Sequence, residues 1–191
     1  MLFRSVPVPG DRLLDALLRR FSCLPLIAED LGTITADVRE TMSRFDLPGM
    51  RVLQFAFGED FPHGSFLPHN YVRNCVVYTG THDNNTSGGW FASEAGEQER
   101  KHLFQYLGRE PESGEIPWEM IRLAIGSVAD TAVIPLQDLL GLGENARMNR
   151  PAGEGGNWRW RAPKEILPRD AADRFAEMTR TYGRAPAGNS A

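Results

Sequence analysis

Apolar residues recur with two different periods along the chain. Leucines at helical spacing predict an amphipathic helix over residues 11–21, and a second helix is predicted over residues 35–45 with Thr35 as its N-cap. Between these helices, the apolar run over residues 24–28 is short enough to be a buried strand. The first part of the chain therefore predicts a helix, a strand and a helix in succession.

The rest of the chain continues to alternate between strands and helices. Three further apolar runs predict strands over residues 50–57, 74–79 and 132–136. Helices are predicted over residues 97–107, ended by Gly108, over residues 117–125, with Pro117 in the first turn, and over residues 170–182. Residues 143–157, rich in Gly, Asn and Pro, are predicted to form a loop, and residues 183–191 a disordered tail.

This alternation predicts an α/β fold with a parallel sheet and right-handed crossovers. Four short strands leave two alternatives, an open sheet or half of a (β/α)8 barrel. A complete barrel typically takes about 250 residues, and the chain has 191. Half of a barrel would leave two strand edges unpaired, so it would need a partner to cover them.

Composition and charge limit the classes of partner that we expect the chain to bind. Hydrophobic residues make up 41% and charged residues 24% of the chain, as in an ordinary globular protein. The net charge of −4 argues against a general attraction to nucleic acid or to an anionic membrane. No apolar run approaches the roughly 20 residues of a membrane span, and no secretory signal is recognisable. We therefore expect neither nucleic-acid nor membrane partners, and a cytoplasmic location.

The cysteines and glycines indicate no metal or cofactor. Cys23 and Cys75 lie in or beside apolar runs, which favours buried free thiols over a disulfide. Neither a CxxC motif nor a Cys/His cluster occurs, so no structural zinc is expected. No glycine-rich phosphate loop follows an early strand, and no cofactor is predicted.

Polar side chains follow three of the four predicted strands. They are Glu29-Asp30, His82-Asp83-Asn84 and Gln137-Asp138. In α/β barrels the C-terminal ends of the strands form the active-site face. Carboxylates on such a face suit the cleavage of glycosidic bonds, in which one protonates the leaving oxygen and another stabilises or traps an oxocarbenium-like centre. The acid should be neutral near pH 7, which partial burial can arrange.

Each of these residues also has a purely structural explanation. Glu29 could form an ion pair with an arginine, and His82-Asp83 could belong to a turn or a helix cap. Trp158 and Trp160 could bind sugars or lie in the core, and their alternation in the segment NWRWR favours the core. Spacing alone thus predicts an α/β protein with a polar strand-end face.

The amino-acid sequences of several segments are more informative than the spacing of their polar and apolar residues. The chain contains LIAEDLGTIT, LPGMRVLQFAF, LPHNY, VVYTGTHDNNT, IPLQDLLGLG, ARMNRP and GNWRWR in this order. It thereby resembles the 4-α-glucanotransferases of glycoside hydrolase family 77, over residues 9–182. The resemblance implies the C-terminal half of a TIM (β/α)8 barrel, strands 5 to 8 with their helices, occupying residues 1–182. It also implies retaining transfer of α-1,4-glucan segments between maltooligosaccharides or α-glucans, without a metal or cofactor.

The resemblance also implies roles for individual residues. Glu29 matches the acid/base of the family, and Asp83 the carboxylate that stabilises the transition state. His82 is expected to hydrogen-bond hydroxyls of the transferred sugar, Asp30 to contribute to substrate binding, and Asn149 to contact a neighbouring glucose.

The nucleophile of the family has no counterpart. It is an aspartate within an Arg-x-Asp-His motif at the end of the fourth strand, and this motif does not occur in the chain. Without the residue that forms the glycosyl-enzyme intermediate, we expect the isolated chain to be inactive and to need the missing N-terminal half of the barrel as a partner. The alternative is a non-catalytic truncated remnant with weak or no glucan binding.

Overall fold

The computed structural model describes residues 8–153, 155–162 and 168–186. The chain divides into two compact units, Met1–Met50 and Arg51–Ala191, which are taken in turn below. No helix among the described residues is both long and apolar enough to cross a membrane.

Two amphipathic helices dominate the first unit, at the predicted positions. Helix α1 spans Gly10–Phe21 and helix α2 spans Ala36–Arg44. Thr35 occupies the N-cap position of α2 as predicted, although its side chain does not hydrogen-bond the main chain of the first turn. Asp11 accepts a hydrogen bond of 2.7 Å from Arg44 Nη1 and so links the start of α1 to the end of α2.

The strand predicted over residues 24–28 is wrong. Only Ala28 pairs, through an isolated parallel bridge to Gly49, and Ile27 is 51% exposed. Pro25 has no N–H to donate to a ladder, which weakens this segment as a strand. Cys23 is exposed, against the prediction of a buried thiol, whereas Cys75 in the second unit is buried, and neither forms a disulfide.

The described strands form one small sheet. Its strands are β1 (Gly49–Val52), β2 (Cys75–Tyr78) and β3 (Thr131–Val133), in the order β1-β2-β3. Strands β2 and β3 are parallel, with Val77 opposite Ala132. The predicted parallel α/β architecture is thus present over the described residues, with three short strands where four were expected.

Both flanking strands end earlier than predicted because tight helical turns follow them. After β1 the chain continues as a 3₁₀ helix, Leu53–Phe55, which buries Leu53 and Gln54. After β3 comes Pro135 and then a short helix, Leu136–Leu139. In both segments a helical turn replaces the strand pairing that the apolar run predicted.

The second unit also contains helices. They are α3 (Ser87–Gly89), which continues as a π-helical turn, Trp90–Glu94, and then α4 (Glu97–Leu107), α5 (Ile116–Ile125), α6 (Leu136–Leu139) and α7 (Arg169–Thr181). Gly108 ends α4 with a left-handed φ of 70°, as predicted. Pro117 lies in the first turn of α5, where its missing N–H is tolerated. The predictions over residues 97–107, 117–125 and 170–182 are therefore confirmed within one residue.

The hydrophobic core lies between the sheet and helices α4 and α5. Its fully buried members are contributed by β2, by the segment between β1 and β2 and by these two helices, and they include Leu53, Phe57, Leu67, Val77, Leu103, Ile116, Met120 and Ala124. Phe57 also packs on Trp90, with ring centroids 6.2 Å apart. This core fixes the C-terminal end of β2, where the candidate site begins.

Arg184 corrects part of the predicted disordered tail. Its guanidinium donates hydrogen bonds to the carbonyl oxygens of Ile125 and Ala129, each at 2.7 Å, and to that of Ser127 at 3.0 Å. These carbonyls follow the C-terminal end of α5, where a cation is electrostatically favoured. Residues 187–191 of the predicted tail lie outside the described residues.

Candidate active site

The loop after β2 forms a tight turn that presents two of the predicted site residues. Asn84 Oδ1 accepts hydrogen bonds from Thr81 N at 2.9 Å and from Thr81 Oγ1 at 2.8 Å. Such a side-chain closure is typical of asparagine in turns. His82 and Asp83 lie at the tip of this turn, so the turn proposed from the sequence does form, and it exposes both side chains.

The carboxylate of Asp138 forms hydrogen bonds with residues at both ends of this loop. Its carboxylate, in α6, is 1% exposed. It accepts hydrogen bonds from Thr79 Oγ1, from Ser87 N at 2.7 Å and from Ser87 Oγ at 2.8 Å. Burial raises the pKa of the Asp138 carboxyl, and the bonds from Thr79 and Ser87 act in the opposite direction. This strand-end acid is therefore a buried support of the loop and does not face solvent.

Asp83 and Asn149 are joined directly. Asn149 Nδ2 donates a hydrogen bond of 2.5 Å to Asp83 Oδ1, and the Asn149 main-chain N–H donates to the His82 carbonyl at 3.0 Å. His82 Nε2 lies 3.3 Å from the same Asp83 oxygen. The structure thus brings together three residues predicted from two separate segments, His82, Asp83 and Asn149.

Arg147 holds this cluster through the main chain, and the sequence analysis missed it. Its side chain is only 13% exposed. It donates to the carbonyl oxygens of Asp83 and Asn149, both at 2.8 Å, and to Glu94 Oε1 at 2.6 Å. Glu94 also accepts a bond of 2.9 Å from Asn85 Nδ2. The one signal for Arg147 in the sequence is its position two residues before Asn149.

A shallow pocket of about 160 Å³ adjoins the turn. Typical ligand cavities enclose about 300–1,000 Å³, so this pocket accommodates only part of an oligosaccharide. Seven of the nine residues that line it have polar side chains, and the lining comprises Thr81, His82, Asn84, Asn85, Thr86, Pro135, Gln137, Arg147 and Met148.

Trp158 is exposed, against the prediction that it lies in the core. Its side chain is 54% accessible, and its ring packs on that of His82 with centroids 5.1 Å apart and planes inclined by 36°. Its backbone has a left-handed φ of 62°, and its N–H donates to the Met148 carbonyl at 2.7 Å. Trp160, in the same segment, is half-buried.

The remaining predicted residues, Glu29 and Asp30, belong to the first unit. Glu29 is exposed, so the partial burial expected of an acid catalyst is not observed. Asp30 Oδ1 accepts a hydrogen bond of 2.6 Å from Met50 N, and Gly49 leaves room for this carboxylate where a Cβ would clash. Both residues line a wide cavity of about 980 Å³ formed within this unit.

Among the described residues, no group of three or more His, Cys, Asp or Glu side chains is placed to hold a metal ion. The chemical groups at the tip of the loop are instead a carboxylate, an amide, an imidazole and an indole.

Fold and site together define an α/β protein that presents a carboxylate at the C-terminal end of a parallel strand, as glycosidic-bond chemistry requires. The chain belongs to the 4-alpha-glucanotransferase family, glycoside hydrolase family 77, whose sequence profile matches residues 3–166.

Individual relatives agree with this assignment. The 4-alpha-glucanotransferase of Thermus thermophilus is 46% identical over 178 residues, which cover 88% of this chain and 35% of that protein. The chloroplastic/amyloplastic enzyme of Arabidopsis thaliana is 46% identical over 92% of this chain and 31% of its own length. The chain therefore spans about a third of the relatives it matches.

A solved structure resembles the whole described fold. Amylomaltase from Streptococcus agalactiae, determined in complex with acarbose, superimposes with a TM-score of 0.87 at 34% identity, over 95% of this chain and 36% of that one. Amylomaltase from Corynebacterium glutamicum, at 16% identity and a TM-score of 0.60, shows the shared fold alone.

Proposed function

We propose that this chain supplies two carboxylates, the acid/base Glu29 and the stabiliser Asp83, to a retaining 4-α-glucanotransferase. The enzyme would transfer α-1,4-glucan segments between maltooligosaccharides or α-glucans. The observation that carries the proposal is the cluster of His82, Asp83 and Asn149, which brings residues from two separate family motifs into hydrogen-bond contact.

The architecture that we propose is the C-terminal half of a (β/α)8 barrel, strands 5 to 8 with their helices, within residues 1–182. The parallel pairing of β2 and β3 supports this assignment. The similarity to an amylomaltase over about a third of its length supports it further.

Asp83 is suited to its proposed role by its position and its partners. Asn149 fixes one carboxylate oxygen, and Arg147 fixes the main chain that carries it. A preorganised negative charge stabilises positive charge as it develops on the sugar, without the cost of reorienting solvent at that moment. His82, half exposed beside it, offers ring nitrogens to sugar hydroxyls.

Glu29 would protonate the leaving oxygen and then take the proton from the acceptor hydroxyl. A general acid needs a pKa near the working pH, and desolvation raises the pKa of a carboxyl group. Because Glu29 is exposed in this chain, we infer that bound glucan and the remainder of the enzyme provide that desolvation. Acarbose in the amylomaltase of Streptococcus agalactiae supports an oligosaccharide ligand.

The nucleophile must come from a segment other than these 191 residues, since they contain no Arg-x-Asp-His motif. Loss of a nucleophile from a catalytic unit typically lowers the rate by several powers of ten. We therefore propose that the chain is inactive by itself and that its partner is the N-terminal half of the barrel. A cytoplasmic location remains a prediction, and the Arabidopsis relative is described as chloroplastic/amyloplastic.

A complementation assay tests this proposal. The purified chain is incubated with maltotriose, alone and with the N-terminal half of the Thermus thermophilus relative, and glucose and longer maltooligosaccharides are measured. We expect products only in the mixture, and none when the chain carries Glu29→Gln. Glu59→Gln, at an exposed position, is the matched control. Turnover by the chain alone would contradict the proposal. A mixture that forms no products although both halves are folded would contradict it as well.

A further inference from the structure

Trp158 is the exposed residue that the proposed reaction leaves without a role. We propose that Trp158 is a sugar-binding residue, whose open indole face stacks on the glucose residue adjacent to the one held by His82 and Asp83. This inference rests on the proposed function for the identity of the glucan, and it extends that function by naming a further binding residue.

The first argument is exposure. His82 packs against one face of the Trp158 ring, yet 54% of the residue remains accessible. A planar ring has two faces, so the surface left open is mainly the other face and the edge. A large aromatic side chain that is left in water contributes little to stability through burial.

The second argument is backbone strain. The φ of 62° at Trp158 lies in the left-handed region, which bulky residues rarely occupy. The conformation is held by two main-chain contacts, from Trp158 N–H to the Met148 carbonyl at 2.7 Å and from Arg161 Nη1 to the Trp158 carbonyl at 2.8 Å. Strained residues of this kind cluster at ligand clamps and active sites. The left-handed backbone conformation places the indole against His82 instead of in the core.

The third argument is chemical complementarity. One face of a pyranose ring carries mainly C–H groups, which pack on an aromatic surface, and its hydroxyls point outward to polar partners. Trp158 provides the apolar surface, and His82 and the polar pocket beside it provide hydrogen-bonding groups. Binding sites for small molecules combine a few aromatic walls with a few polar groups in this way. Met148, whose carbonyl holds Trp158, also lines that pocket, so the indole borders the same site.

The test begins with the wild-type chain alone, in which binding is measured apart from catalysis, and a variant serves only to assign one resonance. The indole N–H resonance of Trp158 is followed by NMR during titration with maltoheptaose, and it is assigned by its loss in Trp158→Phe. We expect this resonance to shift on titration and that of Trp118 to stay unchanged, since Trp118 packs under Arg174 away from the loop. No shift of the Trp158 resonance at saturating glucan would overturn the proposal.

Kinetics of the complemented enzyme provide the second readout. Trp158→Ala should raise KM for maltoheptaose by about tenfold, which is a stacking contribution of about 1.4 kcal/mol, and Trp158→Phe should restore most of it. Trp118→Phe is the control and should leave KM unchanged. A merely structural role would lower the folded fraction without this recovery by phenylalanine.

The proposed function and the proposed role of Trp158 can be refuted independently of each other. Transfer by the wild-type mixture with an unchanged KM in Trp158→Ala would overturn the role of Trp158 and leave the glucanotransferase intact. A wild-type mixture without transfer, in which the Trp158 resonance still shifts with maltoheptaose, would overturn the function and uphold the binding residue.

Discussion

Asp138 should contribute more to stability than any exposed carboxylate in this chain. Replacing it with alanine removes the acceptor of three donors, Ser87 N, Ser87 Oγ and Thr79 Oγ1. The hydroxyls can rotate towards other acceptors, but the Ser87 N–H cannot. A buried donor left unsatisfied costs about 1–3 kcal/mol, and a bond to a charged group contributes about 1.5–3 kcal/mol.

Two effects oppose each other in this substitution. Removing a buried carboxylate relieves its desolvation penalty, which is several kcal/mol for an ion. We expect the lost bonds to outweigh that relief, because the substitution removes the acceptor of the buried Ser87 N–H. We expect Asp138→Ala to lower the free energy of unfolding by about 3 kcal/mol, and Asp138→Asn, which keeps an acceptor for Ser87 N–H, by about 1 kcal/mol or less.

Urea unfolding monitored by circular dichroism measures these differences. Asp130→Ala is the matched control, since the carboxylate of Asp130 is exposed and pairs with the exposed Arg73. Such a surface pair contributes about 0–1 kcal/mol. If Asp138→Ala were as stable as Asp130→Ala, the carboxylate would not anchor the loop and the reasoning would be refuted.

Three further predictions concern pH, positioning and thiol exposure. Since the folded pKa of Asp138 is raised, the stability gained from binding its proton is complete below the unfolded pKa of about 3.9 and is lost as pH rises through the folded pKa. Urea midpoints from pH 4 upward should therefore move in favour of Asp138→Asn relative to wild type, and a constant difference would contradict the assignment. Arg147→Met should lower kcat of the complemented enzyme at least about tenfold, with Arg147→Lys recovering part of it, whereas equal losses in both would indicate a different role. Cys23 should react with a thiol reagent in the folded chain and Cys75 only in urea, and equal rates would show that the burial is wrong.

Local signals explain which elements the sequence predicted well. The helix ending at Gly108 combines a regular apolar stripe with a residue that adopts positive φ without strain, so its boundary depends on neighbouring residues alone. The segment over residues 24–28 carried an equally apolar pattern, but a strand forms only where another strand pairs with it. Its single bridge at Ala28 reflects that dependence.

The residues of the candidate site were likewise predicted only in part. Family motifs located His82, Asp83 and Asn149, and the structure adds the hydrogen bonds between them. Arg147 was missed because its role depends on two main-chain carbonyls that no sequence pattern identifies. Trp158 was misplaced because apolar alternation predicts which residues share a face and cannot say whether that face is covered.

The most direct test of the account is the effect of Asp83→Asn on disproportionation of maltotriose by the complemented enzyme. The substitution keeps the shape of the side chain, so that residue 83 can still contact Asn149, and it removes the negative charge. The account predicts a fall in kcat by several powers of ten, with Asp60→Asn, at an exposed position, matching wild type. Full activity of Asp83→Asn would contradict the claim that this carboxylate takes part in glucan transfer.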